Sequence, residues 1–600
     1  MSEVLTLEKM MQPDSLACRI SDHFLEWERL KVPLSSRWKE IDEYIFATST
    51  KDTTNGKSDW SNTTTIPKLC QIRDNLFANY MAAMFPKRKW LTWEGDRAQD
   101  ETIEKKRAIE SYMDWAVDRN EYYNTMSRLV YDYIDRGNLF ATVEWVDKRV
   151  KNDSPEEVAN PRIKNTQHGY VGPRVVRIAP EDIVFNPTVQ DFASTPKIVR
   201  SLVSLGEAKK VVDKEGQDLE AIEDAKDLWN YLMEVRNAAG ADTSASNMVK
   251  DRIYNVAGLG NWRDYLRSNM VEILTFYGDI YDVEKDHLYE NHIIKVIDRH
   301  RILSIRPSNN YFGSIPIYHA GWRMRPNSLW AMGPLENLVG MQYRMDHLEN
   351  MKSDVFDLIA YPPLKVKGYV PDFKWGPMER IEVGTEGDVE MLVPHVQALQ
   401  ADTQIAILDA KMEEMAGSPK EAAGFRTPGE KTAYEVQRLE NSASRIFQAK
   451  IMQFERDVSE PLLNAMLESA RRNMTDVTIR VLDPVLGVAA FESLTPEDIT
   501  GTGRIRPIAA RHFAEQAQLV QNLNNFFGSP VGQDPNVKVH WSGIKISEMM
   551  EEILGVEQYE LVSPFVAISE QQEGQQLSMV AQEDTAMIAS TPGEISPDDF

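Results

Sequence analysis

Gly333-Pro-Leu-Glu-Asn-Leu-Val-Gly-Met-Gln-Tyr-Arg-Met-Asp-His-Leu-Glu-Asn-Met-Lys-Ser-Asp-Val-Phe-Asp-Leu-Ile-Ala-Tyr-Pro-Pro363 decides the reading of this chain. Proline one residue in suits the first turn of a helix, where its missing N–H costs nothing. Leu338, Met341, Met345, Leu348, Met351, Val355 and Leu358 then recur in steps of three and four, which keeps one face of a helix from Pro334 to about Ala360 dry. Glu336, Arg344, Asp346, Glu349, Lys352, Asp354 and Asp357 cover the rest and read as its solvated side. At 1.5 Å per residue the helix is about 40 Å long. Tyr361-Pro362-Pro363 ends it, because a residue before proline is pushed out of the α region.

Working outward, three short strand-like runs follow, Leu364 to Lys367, Arg380 to Val383 and Val389 to Val393, separated by Pro371, Gly376-Pro377, Gly384 and Gly387. Strands this few do not make an independently stable sheet, so they are expected to add to an edge of a neighbouring chain. A second helix is expected from about Ala398 to Ala416, with Ile405, Leu408, Met412 and Met415 on one side. Residues 417–431 hold three glycines and two prolines, which makes them an adaptable loop. Thr432 with Glu435 three residues on forms a capping box. The helix it opens runs through Val436, Leu439, Ala443, Ile446, Phe447, Ile451, Phe454 and Val458 to Pro461, then resumes with Leu462, Leu463, Met466 and Leu467. Proline inside such a pattern predicts a kink.

At this point the chain resembles the portal, or head-to-tail connector, proteins of tailed bacteriophages. The residues that carry the resemblance are Ile72-Arg-Asp-Asn-Leu-Phe-Ala-Asn-Tyr-Met-Ala-Ala-Met-Phe-Pro86, Ala179-Pro-Glu-Asp-Ile-Val-Phe-Asn-Pro187, Gly333-Pro-Leu-Glu-Asn-Leu-Val-Gly-Met-Gln342, Thr432-Ala-Tyr-Glu-Val436 and Leu494-Thr-Pro-Glu-Asp-Ile499. Their order and spacing, more than any one of them, make the match.

The resemblance implies an α+β, mainly α, elongated subunit with an α/β wing, a two-helix stem, a small α/β clip, a long kinked spine helix and a helical crown. By position, 1–330 look like the wing, with a helical segment at 207–265; 331–360 and 398–416 look like the two stem helices; 361–397 look like the clip and 417–431 like the tunnel loop. Residues 432–510 look like the spine and its return to the wing, 511–556 like the crown, and 557–600 like an acidic, flexible tail. It further implies a dodecameric ring at one capsid vertex of the virion, assembled in the host cytoplasm. Genomic DNA is packaged through it by the terminase motor and later ejected, with the major capsid and scaffolding proteins and tail or adaptor proteins as partners. Stem packing is expected through Leu338, Met345, Leu348, Val355, Ile405, Leu408 and Met412, the helix kink at Pro461, and the channel contacts of the tunnel loop at Lys420, Arg426 and Lys431.

Composition bounds the alternatives. The chain has 600 residues, 42% apolar, with a formal net charge of −25; an acidic chain suits a conduit through which DNA slides, since duplex affinity comes mainly from Lys and Arg on phosphates, and it equally serves solubility. Two cysteines, Cys18 and Cys70, argue against a disulfide framework or a multi-cysteine metal site. Met1-Ser-Glu-Val-Leu-Thr-Leu-Glu8 lacks a signal pattern and no uncharged apolar run approaches the roughly 18 residues of a membrane span. No membrane insertion is expected. After Lys545 there is no Lys or Arg, and Glu570-Gln-Gln-Glu-Gly-Gln-Gln-Leu and Ser596-Pro-Asp-Asp-Phe600 read as a weakly ordered tail.

The N-terminal 150 residues read as mainly helical with a polar loop from Lys51 to Thr65, 174–205 as β-rich, 207–240 as helical, and 271–318 as a β meander. Gly424 to Thr432 resembles a phosphate-binding loop, but Glu430 stands where the lysine belongs and a helix precedes it. ATP hydrolysis is therefore assigned to a separate motor. Lys420, Arg426 and Lys431 are either point contacts to DNA phosphates or loop charges offset by Glu421 and Glu430. Lys87-Arg88-Lys89 reads as a basic helix end, and Glu413-Glu414 as a solvated pair. Histidines never form H-E-x-x-H, and no G-x-S-x-G elbow occurs, so no catalytic residue, metal site or cofactor is expected. The rival readings are a nuclease or NTPase acting on nucleic acid, or another ring-forming head–tail adaptor.

Overall fold

The computed structural model of the chain describes residues 5–7, 13–46, 61–85, 90–147 without 98 and 101, 170–218 without 190, 228–233, 270–308 without 283–285 and 300, 316–368, 385–392, 400–416, 449–482 without 476, and 489–507. The chain divides into two units, 1–510 and 511–600, and all of these residues belong to the first. The loop at 417–431 with Lys420, Arg426 and Lys431, the capping box at Thr432, the basic Lys87-Arg88-Lys89, the middle of the expected clip, the expected crown and the tail lie outside the described residues.

In chain order, β1 (Leu5–Leu7) precedes α1 (Pro13–Phe46), α2 (Lys68–Met84), β2 (Leu91–Gly95), α3 (Ile103–Arg119) and α4 (Tyr122–Asp135). Then come β3 (Asn138–Asp147), β4 (Val171–Ile178), β5 (Ile183–Phe185), β6 (Lys197–Ser204) and α5 (Leu205–Asp218). The strands β7 (Met270–Asp282), β8 (His287–Ile297), β9 (Arg301–Pro307), β10 (Tyr318–Gly321), β11 (Arg323–Arg325) and β12 (Ser328–Met332) lead into α6 (Val339–Ala360). After β13 (Leu364–Lys367) and β14 (Asp388–Met391) follow α7 (Ala401–Ala416), a π-turn at Glu455–Ser459, α8 (Glu460–Asn473), β15 (Val477–Leu482), β16 (Ala489–Leu494) and β17 (Gly503–Pro507). The described chain is thus mixed α+β, its strands falling in six sheets.

The largest sheet runs β5-β6-β7-β8-β9 as an antiparallel meander, with β1 added parallel to the far end of β7. Period-two alternation lets it bury both faces. Leu274, Phe276 and Ile280 of β7, with Ile294, Val296 and Ile302, pack with Leu16, Ala17, Ile20, Phe24 and Trp27 of α1. Val271 and Ile273, one residue out of phase, pack with Ala208 and Val212 of α5. α1 is about 50 Å long and serves three cores, ending with Trp38 in an aromatic cluster with Phe140, Phe185, Phe192 and Trp330 and with Ile41, Tyr44 and Ile45 in the main one. The main core also takes α2, α3, α4 and α8 and the near ends of α6 and α7. The parts expected as wing and stem therefore share one core.

Two details fix how α6 leaves this body. Gly137, at φ +68° after α4, lies so close to Gly333 that a Cβ on it would stand 2.3 Å from the Gly333 nitrogen. Asn138, fully buried, donates to the carbonyls of Arg136 and Ala331 at 2.9 Å each and accepts from the Ala331 N–H at 2.9 Å. The expected start of the first stem helix at Pro334 moves to Val339, because Leu335 to Leu338 turn with i→i+3 hydrogen bonding and Glu336 accepts the Gly333 N–H at 3.2 Å. Burial raises the Glu336 carboxyl above its usual range against the pull of that N–H.

A kink was expected at Pro461. Helical residues 449–454 run into a π-turn at Glu455–Ser459, with the Glu460 N–H reaching back to the Glu455 carbonyl, and Pro461 follows within the continuing helix, α8.

Candidate functional site

The helical pair α6 and α7, with the ribbon β13–β14, is where the sequence concentrates its candidate residues. Leu338 and Met345 lie in the main core and Leu348 is buried; Met412 joins that core and Ile405 and Leu408 lie half-covered against it. Val355 is half-buried. Leu338, Met345, Leu348 and Met412, expected to pack between copies, are already buried inside their own subunit.

What remains open is the continuation of the same stripe. At 100° per residue, Phe356 and Ile359 fall on the face that Leu338, Met341, Met345 and Leu348 occupy further back. Yet Phe356 is 53% and Ile359 39% exposed, and Met351 41%. α6 outruns the body; on this face the charged pair Glu349 and Lys352 follows Leu348, and apolar side chains return at Phe356 and Ile359. Exposed apolar side chains continue on Val366, Met391 and Leu392 of the ribbon and on Ile407 and Met415 of α7. The ribbon is a two-stranded antiparallel pair, Leu364 opposite Met391 and Lys367 opposite Asp388. Its Lys365–Glu390 pair at 3.0 Å is exposed on both sides and contributes little. Lys352 ties the two helices by donating to Asp402 at 2.8 Å, with Glu349 at 3.0 Å; these hydrogen bonds raise its pKa.

The polar side of α6 holds a feature that sequence reading missed. Gln342, Asp346, Asn350 and Asp354 stand one every four residues, and the chain preceding α2 lies along them. The Leu69 N–H donates to Gln342 (3.2 Å), Ile66 to Asp346 (2.9 Å), Thr64 to Asn350 (2.8 Å) and Asn62 to Asp354 (2.6 Å). The Gln342 and Asn350 amides return hydrogen bonds to the Ile66 carbonyl (2.5 Å) and the Thr64 carbonyl (2.9 Å). Asp346 and Asp354 are thus not the solvated acids they were read as, Asp357 stays exposed while accepting from the Asn62 amide, and the last part of the Lys51–Thr65 loop is fastened down. The one available signal was the strict four-residue spacing of acid and amide side chains.

Lys68, next along, is buried and pairs with Asp409 at 2.7 Å and with Glu413, also buried, one helical turn further on α7. This corrects the reading of Glu413 as solvated; Glu414 is exposed.

Elsewhere, an open cleft of about 280 Å³ between α1, α2, α4 and β4 gathers Arg73, Arg128, Arg136 and Arg177 with Asp42, Asp132, Asp135 and Glu181. Arg73 holds Asp135 (2.7 Å), Arg136 holds Asp42 (2.8 Å) and Glu181 (2.8 Å), and Arg177 holds Asp132 (2.5 Å). Burial pushes Asp132 up to about 7 against Arg177, while Arg136 outweighs burial and brings Glu181 down to about 2. Three of the four guanidiniums already hold carboxylates, so the cleft has little charge left for an anion. Among the described residues no group of three or more His, Cys, Asp or Glu could hold a metal ion, and no helix is long and apolar enough to cross a membrane. Compared with known proteins, the chain matches no family model and no curated protein.

Proposed function

We propose that this chain is the repeating subunit of a portal-type ring, the channel through which a phage genome enters and leaves its capsid. The observation that carries the reading is the apolar surface that α6 leaves exposed at Phe356 and Ile359, beyond the part of the helix buried as far as Leu348. Each such side chain buried against a neighbouring copy adds about 2 kcal/mol, and a closed ring repeats that gain at every interface. The ribbon β13–β14 supports the same reading, since its open edges suit strand addition from the next subunit. The order of elements and the residues that resemble portal proteins support a ring of twelve, with terminase, capsid, scaffolding and tail or adaptor proteins as partners. The channel does no chemistry of its own.

Size-exclusion chromatography and negative-stain imaging test this. Wild-type protein is expected as rings, and Phe356→Asp with Ile359→Asp as a folded subunit that no longer closes them. Both side chains are exposed in the single chain, so the fold should survive. A wild-type chain that stays monomeric at tens of micromolar, or a double variant with intact rings, overturns the proposal.

The segment 417–431 is proposed to touch passing DNA weakly through Lys420, Arg426 and Lys431. Simultaneous engagement by every copy would hold DNA too tightly to move. Replacing all three by alanine should leave rings intact and change packaging efficiency or retention of packaged DNA. Unchanged packaging and retention would remove these residues from the channel.

A further inference from the structure

Residues 62–69 touch both helices of the α6/α7 pair by two different means. Toward α6 they offer backbone: N–H groups at 62, 64, 66 and 69 go to Asp354, Asn350, Asp346 and Gln342. Toward α7 they offer one side chain, Lys68, which takes Asp409 and Glu413. The two attachments are joined by a single step of chain, because Lys68 sits between Ile66 and Leu69.

The fastening is graded along its length. Gln342, Asp346 and Asn350 are buried at the inner end, where Leu69 is also fully buried. At the outer end Asn62 reaches the exposed Asp357 at 2.7 Å as well as Asp354. Hydrogen bonds that water can reach are replaced by water at little net cost, whereas buried ones are costly to leave unmade. Opening therefore starts at Asn62 and meets rising resistance toward Lys68.

We propose that residues 62–69 are a strap that opens as one cooperative unit from its Asn62 end, and that its closure sets the placement of α6 and α7 together. When closed, α7 is held through Lys68 and α6 through the side-chain ladder. When the ladder opens, Lys68 leaves Asp409 and Glu413 with it, and the pair is freed as one body. The argument uses contacts within a single chain and holds whether or not the chain forms a ring.

Hydrogen–deuterium exchange on the full-length protein tests it, with two variants of different severity. Asn62→Ala removes only the outermost side chain, and Asn350→Leu removes a central rung while keeping the number of side-chain heavy atoms. The expected result is exchange at least tenfold faster at Thr64 and Ile66 in Asn350→Leu and a smaller increase at the same amides in Asn62→Ala, accompanied in Asn350→Leu by faster exchange at 409–413 of α7, while β6 and β7 are unchanged. The unchanged sheet separates strap opening from loss of the fold. Faster exchange confined to the amide beside each substitution, with 409–413 as in the wild type, overturns the proposal. So does a central-rung variant whose α7 loosens while Thr64 and Ile66 stay protected. A Lys68→Met variant with Asp409→Asn and Glu413→Gln, in which no carboxylate is left unpaired, should loosen α7 and speed exchange at Ile66; an unaffected Ile66 would show two independent contacts and overturn the coupling.

Discussion

Gly137→Ala should destabilise the protein by about 3–5 kcal/mol. The φ of +68° disfavours any side chain, and the added Cβ would fall 2.3 Å from the Gly333 nitrogen and 2.6 Å from its Cα. Both neighbours are backbone, so no rotamer change relieves the overlap. The chain must separate α4 from the start of α6, and that breaks the Asn138 hydrogen bonds to Ala331. Gly340→Ala is the matched control. Nothing lies within 4 Å of its added Cβ, and replacing an exposed helical glycine gains about 0.5–1 kcal/mol. Urea unfolding of the two variants should thus move in opposite directions. A Gly137→Ala protein within 1 kcal/mol of wild type would mean that the close approach is not a constraint on the fold.

Asp42→Ala should cost a comparable 3–5 kcal/mol, by a different route. Asp42 takes two hydrogen bonds from Arg136, at 2.8 and 2.9 Å, and both residues are buried. Glu181 accepts only the Nε side of the guanidinium, at 2.8 Å. Truncating Asp42 leaves half of a buried cation unpaired beside Trp38, whose ring it faces at 5.7 Å. Asp42→Asn should lose less, because its amide oxygen still accepts one of the two hydrogen bonds. Arg128→Ala, on the exposed side of the same cleft, should stay within about 0.5 kcal/mol of wild type. Thermal unfolding of all three gives the order; an Asp42→Ala loss no larger than that of Arg128→Ala would remove Asp42 from the stabilising network.

How far the sequence foretold these features depends on the distance over which each is decided. α6, α7, the strand at 364–367 and the meander around β7 to β9 were legible, because each rests on a local period of 3.6 or 2. The start of α6 was misjudged by a few residues, since Glu336 capping Gly333 competes with the proline signal. The π-turn could not be read, for Pro461 announces a disturbance but packing chooses its form. The strap was invisible for a plainer reason. Ile66 and Asp346 are 280 residues apart, and Lys68 and Glu413 are 345 apart, so neither leaves a mark in its own neighbourhood. Without the partner, an acid on a helix surface looks like an acid in water.

The ladder on α6 also works as a vernier. Two residues of extended chain advance about 6.6 Å, and four residues of helix about 6.0 Å. Each rung from Ile66 outward therefore falls about 0.6 Å further out of step, and each helical rung swings about 40° further round the axis. From Gln342 to Asp354 the winding comes to about 120°. Asn62 meets the accumulated slip by reaching two carboxylates at once, Asp354 and Asp357. One more rung would find its acceptor turned away. The strap's outer end is thus set by the winding of α6 away from the chain it holds, and lengthening the polar row on α6 would not lengthen the grip.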